Sequence, residues 1–298
     1  MDHVIQKNGK RDRKQRYQCV DCGHIFQFNR TKKQVLGDHI WTKYVHENQS
    51  LTSLSTYYGI SYKTIRKYLD NHQIDQPIVT PGSSVIVMDT CYFRWGFGVM
   101  VFRDFLRRKN IYWKYLKHEN LEEYRLGINY LLDKGVEING IVCDGKRGLF
   151  SAFGAIPIQM CQFHQVAIVT RYITRNPKLE AGRELKEVTH KLTKSSKAEF
   201  GIMLQNWHMK WKVFLSERTY NDENKGWHYT HRRLRSAYRS LKTNLPFLFT
   251  YLEYPDQSIP NTTNSLEGTF SNLKTKLRTH AGIKEWRKKK IINEILAK

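Results

Sequence analysis

The chain has 298 residues with ordinary hydrophobic content, so it is long enough for two or three packed domains and is not compositionally disordered. Fifty Lys and Arg against 27 Asp and Glu give a formal net charge of +23, which makes a polyanion, DNA or RNA, the natural partner but says nothing about catalysis. No apolar run of about 18 residues, no apolar leader at the N-terminus and five cysteines argue against a membrane span, a secretory signal and a disulfide framework; a reduced, cytoplasmic protein is expected.

Taken in chain order, residues 1–30 contain the knuckle Cys19-x-x-Cys22 with Gly23 behind it, a spacing at which two thiolates grip one Zn²⁺. A structural zinc wants four ligands, and only His3 and His24 stand nearby, so the site is half encoded. A relic knuckle and a second C-x-x-C upstream of the given start are both open readings.

Residues 31–76 are expected to hold a helix-turn-helix. Leu51, Leu54, Tyr57, Tyr58, Ile60, Ile65, Tyr68 and Leu69 fit two short helices, with Gly59 breaking them and Ser61 capping the second. That second helix would show Tyr62, Lys63, Thr64, Arg66 and Lys67 to DNA; an ordinary helical hairpin is the plainer alternative. Pro77, Pro81 and Gly82 mark a linker.

From residue 84 the pattern turns α/β. Strands are expected at Ser84–Met88, ending in Asp89, then at Phe97–Phe102 and Ile111–Leu116. A helix follows from Asn120 to Leu132, then a strand Ile138–Cys143 ending in Asp144. Lys146–Phe153 reads as helical and Ile156–Met160 as a last strand. Three strands, helix, strand, helix, strand is the ribonuclease-H-like order, in which the ends of the first and fourth strands are neighbours. Asp89 and Asp144 would then face each other and suit Mg²⁺, a hard cation that prefers oxygen ligands. A strand-end aspartate alone is usually a turn former.

Two further segments carry motifs. Residues 160–174 contain Cys161-x-x-His164, and residues 261–283 contain Asn264-x-x-Glu267 at the start of a basic helix with Lys274, Lys276, Arg278 and His280. With Asp89 in Met-Asp-Thr and Asp144 in Cys-Asp-Gly, these landmarks occur in the order found in bacterial insertion-sequence transposases of the Mutator-like superfamily, the DDE enzymes. The chain resembles that family from Cys19 to about Arg287, and Lys10–Tyr17 resembles the strand region of its zinc ribbons.

The resemblance implies a retroviral-integrase-like, ribonuclease-H-like catalytic core, entered at residues 84–165 and completed by residues 259–298. It implies a largely helical insertion at 166–258, and residues 178–218, rich in helix formers and with apolar residues at helical spacing, agree. It implies Asp89, Asp144 and Glu267 as catalytic carboxylates holding two Mg²⁺ or Mn²⁺ ions. The reaction it implies is DNA cleavage and strand transfer at terminal inverted repeats, by a homodimer or higher oligomer on DNA, in the bacterial nucleoid. Glu267 taken alone would as readily be a helix-start residue. Cys161 and His164 are left between a structural, a DNA-contacting and a metal role. Arg232, Arg233 and Arg235, interleaved with Trp227, Tyr229 and Tyr238, suit DNA ends, with the aromatics mostly in the core. A catalytically dead, domesticated DNA-binding descendant and a resolvase-like nuclease are the alternatives.

Overall fold

The computed structural model describes residues 4–11, 14–27, 32–146, 148–221 and 226–298. His3, residues 12–13 of the basic stretch and Arg147 lie outside them. The chain forms two compact units.

One unit comprises the described residues up to Ile74 together with Lys276–Ile291. Its first part is a small antiparallel sheet of β1 (Ile5–Arg11), β2 (Lys14–Cys19) and β3 (Ile25–Phe26) in the order β1-β2-β3. Three helices follow: α1 (Lys32–Val45), α2 (Leu51–Tyr58) and α3 (Tyr62–Asn71). The helices close over Ile40, Trp41, Leu54, Ile65 and Leu69. Ser50 caps α2 and Ser61 caps α3, each hydroxyl accepting a backbone N–H three residues on, and Gly59 ends α2 with φ 62°. The two short helices expected at 51–69, broken at Gly59, are therefore present, and Tyr62, Lys63, Thr64, Arg66 and Lys67 are all exposed on α3.

The other unit comprises Asp75–Thr275 and Ile292–Lys298. Its centre is a mixed five-stranded sheet of β4 (Gly82–Arg94), β5 (Phe97–Asp104), β6 (Lys109–Leu116), β7 (Val136–Cys143) and β8 (Ile158–Met160), in the order β6-β5-β4-β7-β8. The first three form the antiparallel meander, and β7 and β8 join in parallel. Asn120 caps α4 (Leu121–Asp133), which packs Tyr124, Ile128 and Leu131 onto Met88, Met100 and Phe102 of the sheet.

A second core lies among the helices after the sheet, α5 (Gln162–Ile173), α6 (Glu180–His190), α7 (Lys197–Ser216) and α8 (Arg232–Asn244), around Val169, Leu185, Phe200, Leu204, Trp207, Leu234 and Leu241. β9 (Arg218–Asn221) and β10 (Gly226–Tyr229) pair antiparallel between α7 and α8, and the short α9 (Thr250–Glu253) precedes α10 (Asn264–Thr279) and α11 (Glu285–Leu296). No helix among the described residues is long and apolar enough to cross a membrane.

Four expectations change. The first strand does not end at Asp89: β4 runs on to Arg94, because β5 pairs with it as far as Arg94↔Phe97 after the parallel pairing with β7 stops at Val87↔Val142. The described residues of 146–153 show one 3₁₀ turn, at Leu149–Ser151; Gly145 and Gly148 take φ 82° and 90°, a left-handed geometry that interrupts helix. The β9–β10 hairpin was not anticipated; it is braced by the Arg218 guanidinium 3.9 Å from the Trp227 ring centroid, and Trp227 is exposed rather than in the core. Finally, residues 259–298 do not belong wholly with the sheet, since Lys276–Ile291 pack with the N-terminal helices.

Candidate active site

The parallel register of β4 and β7 sets the site. Val87 faces Val142, so β4 carries Asp89 past the end of that pairing while Asp144 follows directly after β7, and the Asp144 charge is felt at Asp89, 55 positions away in sequence. Asp89 lies where β4 outlasts its parallel neighbour, and is 7 % exposed. Its Oδ1 accepts the Thr90 N–H at 2.7 Å, while Asp144 Oδ1 accepts the Lys146 N–H at 3.0 Å.

The other two groups arrive on helices. Cys161 follows β8 directly, and its N–H donates to the Cys143 carbonyl, extending the β7–β8 ladder by one bond. His164 is one turn later on α5, and Glu267 is in the first turn of α10. His164 Nε2 lies 3.6 Å from Glu267 Oε1. Ligand atoms of Asp89, His164 and Glu267 all lie within 4.8 Å of one another, and among the described residues this is the one such group.

Cys161 fastens the two helices that carry His164 and Glu267. Its buried Sγ accepts the N–H of Thr263 at 3.3 Å and the Thr263 hydroxyl at 3.4 Å, across 102 positions of sequence. The Thr263 hydroxyl is also 3.4 Å from His164 Nδ1. Beside this latch, Gln162 N–H donates to the Asn261 carbonyl, and the Asn261 amide donates back to Gln162 Oε1. The C-x-x-H motif is thus a positioning device at Cys161 and a member of the charged cluster at His164.

The electrostatics follow from burying several charges together. Burial raises the Asp89 carboxyl to about 7, with the Asp144 and Glu267 charges adding to the rise and His164 opposing it. On His164, burial pulls the other way and is the largest single influence, yet the Cys161 hydrogen bond and the carboxylates overcome it and raise the imidazole to about 9. Burial likewise opposes the Cys161 thiolate, but bonds from His164 and Thr263 outweigh it and hold that thiol below its ordinary value. The donor set within reach of one ion, the Asp89 and Glu267 carboxylates with the His164 imidazole, could hold a divalent cation, and Asp144 adds negative charge nearby.

The basic residues divide. Lys274 is exposed on α10, two turns beyond Glu267, and its charge reaches Cys91 on β4. Arg278 is exposed, and Arg232 is exposed at the start of α8. Lys276 is a correction: it is only 9 % exposed and its ammonium donates to the His46 carbonyl at 2.7 Å, so it does not face a DNA backbone. Arg235 is another, half-buried, stacked 3.5 Å above the Tyr229 ring and bonded to the Leu215 carbonyl. Arg233 is exposed, with one guanidinium nitrogen donating to the Arg171 carbonyl. At the N-terminal knuckle, Cys19 is buried and Cys22 exposed, and among the described residues no third side chain completes a ligand set with them.

Glu119, Tyr124 and Lys146, to which no role is assigned by the sequence, form a bonded group beside Thr90 and Asp144. Tyr124 donates to Glu119 Oε1 at 2.6 Å and sits 3.3 Å from the Thr90 hydroxyl, and Lys146 Nζ is 3.7 Å from Glu119. None belongs to a motif, so no spacing signals them. Comparison with protein-family models, with curated proteins and with solved structures finds no match for this chain.

Proposed function

We propose that this chain is a DDE-type transposase that cleaves and joins DNA with divalent metal ions, and that its five-stranded sheet is a ribonuclease-H-like core. The observation that carries the reading is the cluster of Asp89, His164 and Glu267, with the Asp144 charge felt at Asp89 from just past the end of β7, in a chain of net charge +23. The strand order β6-β5-β4-β7-β8 and the helical segment between α5 and α10 agree with it.

Asp89, Asp144 and Glu267 would hold the ions, Mg²⁺ or Mn²⁺. Bound there, a metal pair supplies the Lewis acidity that ionises an attacking water or 3′-hydroxyl and steadies the leaving oxygen. The protein's own share is positional. The strands fix the two aspartates, and the Cys161–Thr263 latch fixes Glu267 and His164. His164, whose imidazole the Cys161 bond and the neighbouring carboxylates hold above its ordinary range, stands beside Glu267 at the edge of the site. Lys274, with Arg278 on the same helix and Arg232 in the insertion, offers cations to the DNA backbone, and the exposed face of α3 reads the element ends. Joining two ends requires two such sites, hence a dimer or larger assembly on DNA. Cys19, at the end of β2, and Cys22, in the turn before β3, would supply two of the four ligands that a structural zinc needs.

The test is strand transfer of duplexes bearing the DNA that flanks this coding region. Asp144→Asn and Glu267→Gln should bind those ends as the parent does and transfer none. Transfer at the parental rate by either variant would sink the assignment.

A further inference from the structure

His164 is the member of the Asp89–His164–Glu267 group that is not a carboxylate, and the two nitrogens of its ring have different surroundings. Nδ1 stands 3.4 Å from the Thr263 hydroxyl. Thr263 gives its own hydroxyl proton to Cys161 Sγ, so toward the ring its oxygen can only accept. This network assigns the proton of the neutral imidazole to Nδ1 and leaves a lone pair on Nε2.

Nε2 lies 3.6 Å from Glu267 Oε1, and one ligand atom from each of Asp89, His164 and Glu267 lies within 4.8 Å of the other two. A lone pair facing carboxylates is repelled unless a proton or a cation stands between them, and a divalent cation can take all three donors at once. The Nδ1 side supplies the support that a metal-ligating imidazole needs, a hydrogen bond that fixes both its tautomer and its orientation. The backbone holds that support in place. Cys161 N–H donates to the Cys143 carbonyl and Gln162 N–H to the Asn261 carbonyl, which ties the start of α5 to β7 and to the segment before α10.

We infer that His164 Nε2 is a direct ligand of a divalent ion held with Asp89 and Glu267, and that this nitrogen makes the site prefer Mn²⁺ to Mg²⁺. Mg²⁺ is a hard ion that keeps to oxygen ligands and water, whereas an imidazole suits transition-metal ions. Ligation displaces any proton from Nε2, so that the ion takes the proton's place between the ring and the carboxylates. The inference rests on the proposed reading of Asp89 and Glu267 as metal ligands. It adds a nitrogen donor to a set that would otherwise be all oxygen, and it divides the Cys161-x-x-His164 motif: the cysteine positions, and the histidine ligates.

The test uses the metal alone, without DNA. Mn²⁺ is titrated into the full chain, and electron spin-echo spectroscopy reads the nuclei bound to it. The parent complex should show a directly bound imidazole nitrogen, and His164→Gln should lose that signal. Competition between the two ions should show the preference for Mn²⁺ over Mg²⁺ falling about tenfold in His164→Gln. His164→Asp, which puts an oxygen donor in the place of the nitrogen, should bind Mg²⁺ more tightly than the parent does. The nitrogen signal of the parent decides the matter even where a variant fails to fold. A parent Mn²⁺ complex without bound nitrogen overturns the inference, as does a His164→Gln variant that folds and keeps the parental preference. Failure of the catalytic reading would look different: nitrogen-ligated Mn²⁺ and the preference both present, with no nicking of DNA by the parent in either metal.

Discussion

Replacing Asp89 by Asn should stabilise the metal-free protein at pH 8 while destroying its response to Mg²⁺. Folding lifts this carboxyl from 3.8 to about 7, mainly by burial. The folded chain thus binds more protons than the unfolded chain between about pH 4 and pH 7, and stability falls as pH climbs through that window. A rise of about 3 units corresponds to roughly 4 kcal/mol lost by pH 8. Asn carries no charge and escapes most of this, although it forgoes the attraction of the His164 imidazolium, so a gain of about 2–3 kcal/mol is expected. At pH 5 the Asp89 carboxyl is already mostly protonated, and the two proteins should agree within about 1 kcal/mol. The assay is urea unfolding at both pH values in EDTA and in Mg²⁺. Saturating Mg²⁺ at about 100 times its Kd should add roughly 2.7 kcal/mol to the parent at pH 8 and little to Asp89→Asn. An Asn variant less stable at both pH values, or one that Mg²⁺ stabilises as fully as it does the parent, would refute the reasoning.

Three further outcomes are expected. Cys161→Ala strands the buried Thr263 N–H and opens a small void, which should cost about 2–4 kcal/mol in chemical denaturation and weaken Mg²⁺ binding by loosening Glu267, with Cys161→Ser milder on both counts. His164 is raised from 6.5 to about 9, so its contribution is complete below pH 6.5 and is lost as pH rises to 9; thermal unfolding in EDTA should show His164→Gln losing its deficit against the parent across that interval. Arg287→Ala removes a two-pronged bond to Asp70, at 2.6 and 2.7 Å, and should cost about 1–3 kcal/mol in unfolding of the helical N-terminal unit.

Much of the sheet was legible because its strands are short apolar runs and its helix is capped. Asn120 and Ser61 are capping residues by side-chain chemistry, and both cap the helices expected of them. That the strand carrying Asp89 lies beside the strand that leads to Asp144 followed from strand order, which local pattern does encode. What pattern does not encode is contact across a hundred residues. His164 could not be placed beside Glu267, nor Cys161 beneath Thr263, because α10 returns to α5 only after the whole insertion has folded between them. Lys276 and Arg235 were read as DNA contacts from charge alone, whereas carbonyl acceptors and an aromatic ring already hold them. The 3₁₀ turn after Asp144 was misread for a local reason: two glycines in left-handed geometry outweigh a short helix-like run.

The central claim is that Asp89, Asp144 and Glu267 form one metal-dependent DNA-cutting site. The most direct measurement is single-turnover nicking of duplexes bearing the DNA that flanks this coding region, in Mg²⁺, in Mn²⁺ and in EDTA, by the parent and by Asp144→Asn. Nicks that leave a 3′-hydroxyl, made by the parent only with metal and absent with Asp144→Asn at equal DNA binding, are the predicted result. Nicking in EDTA, or nicking by Asp144→Asn at the parental rate, would contradict it.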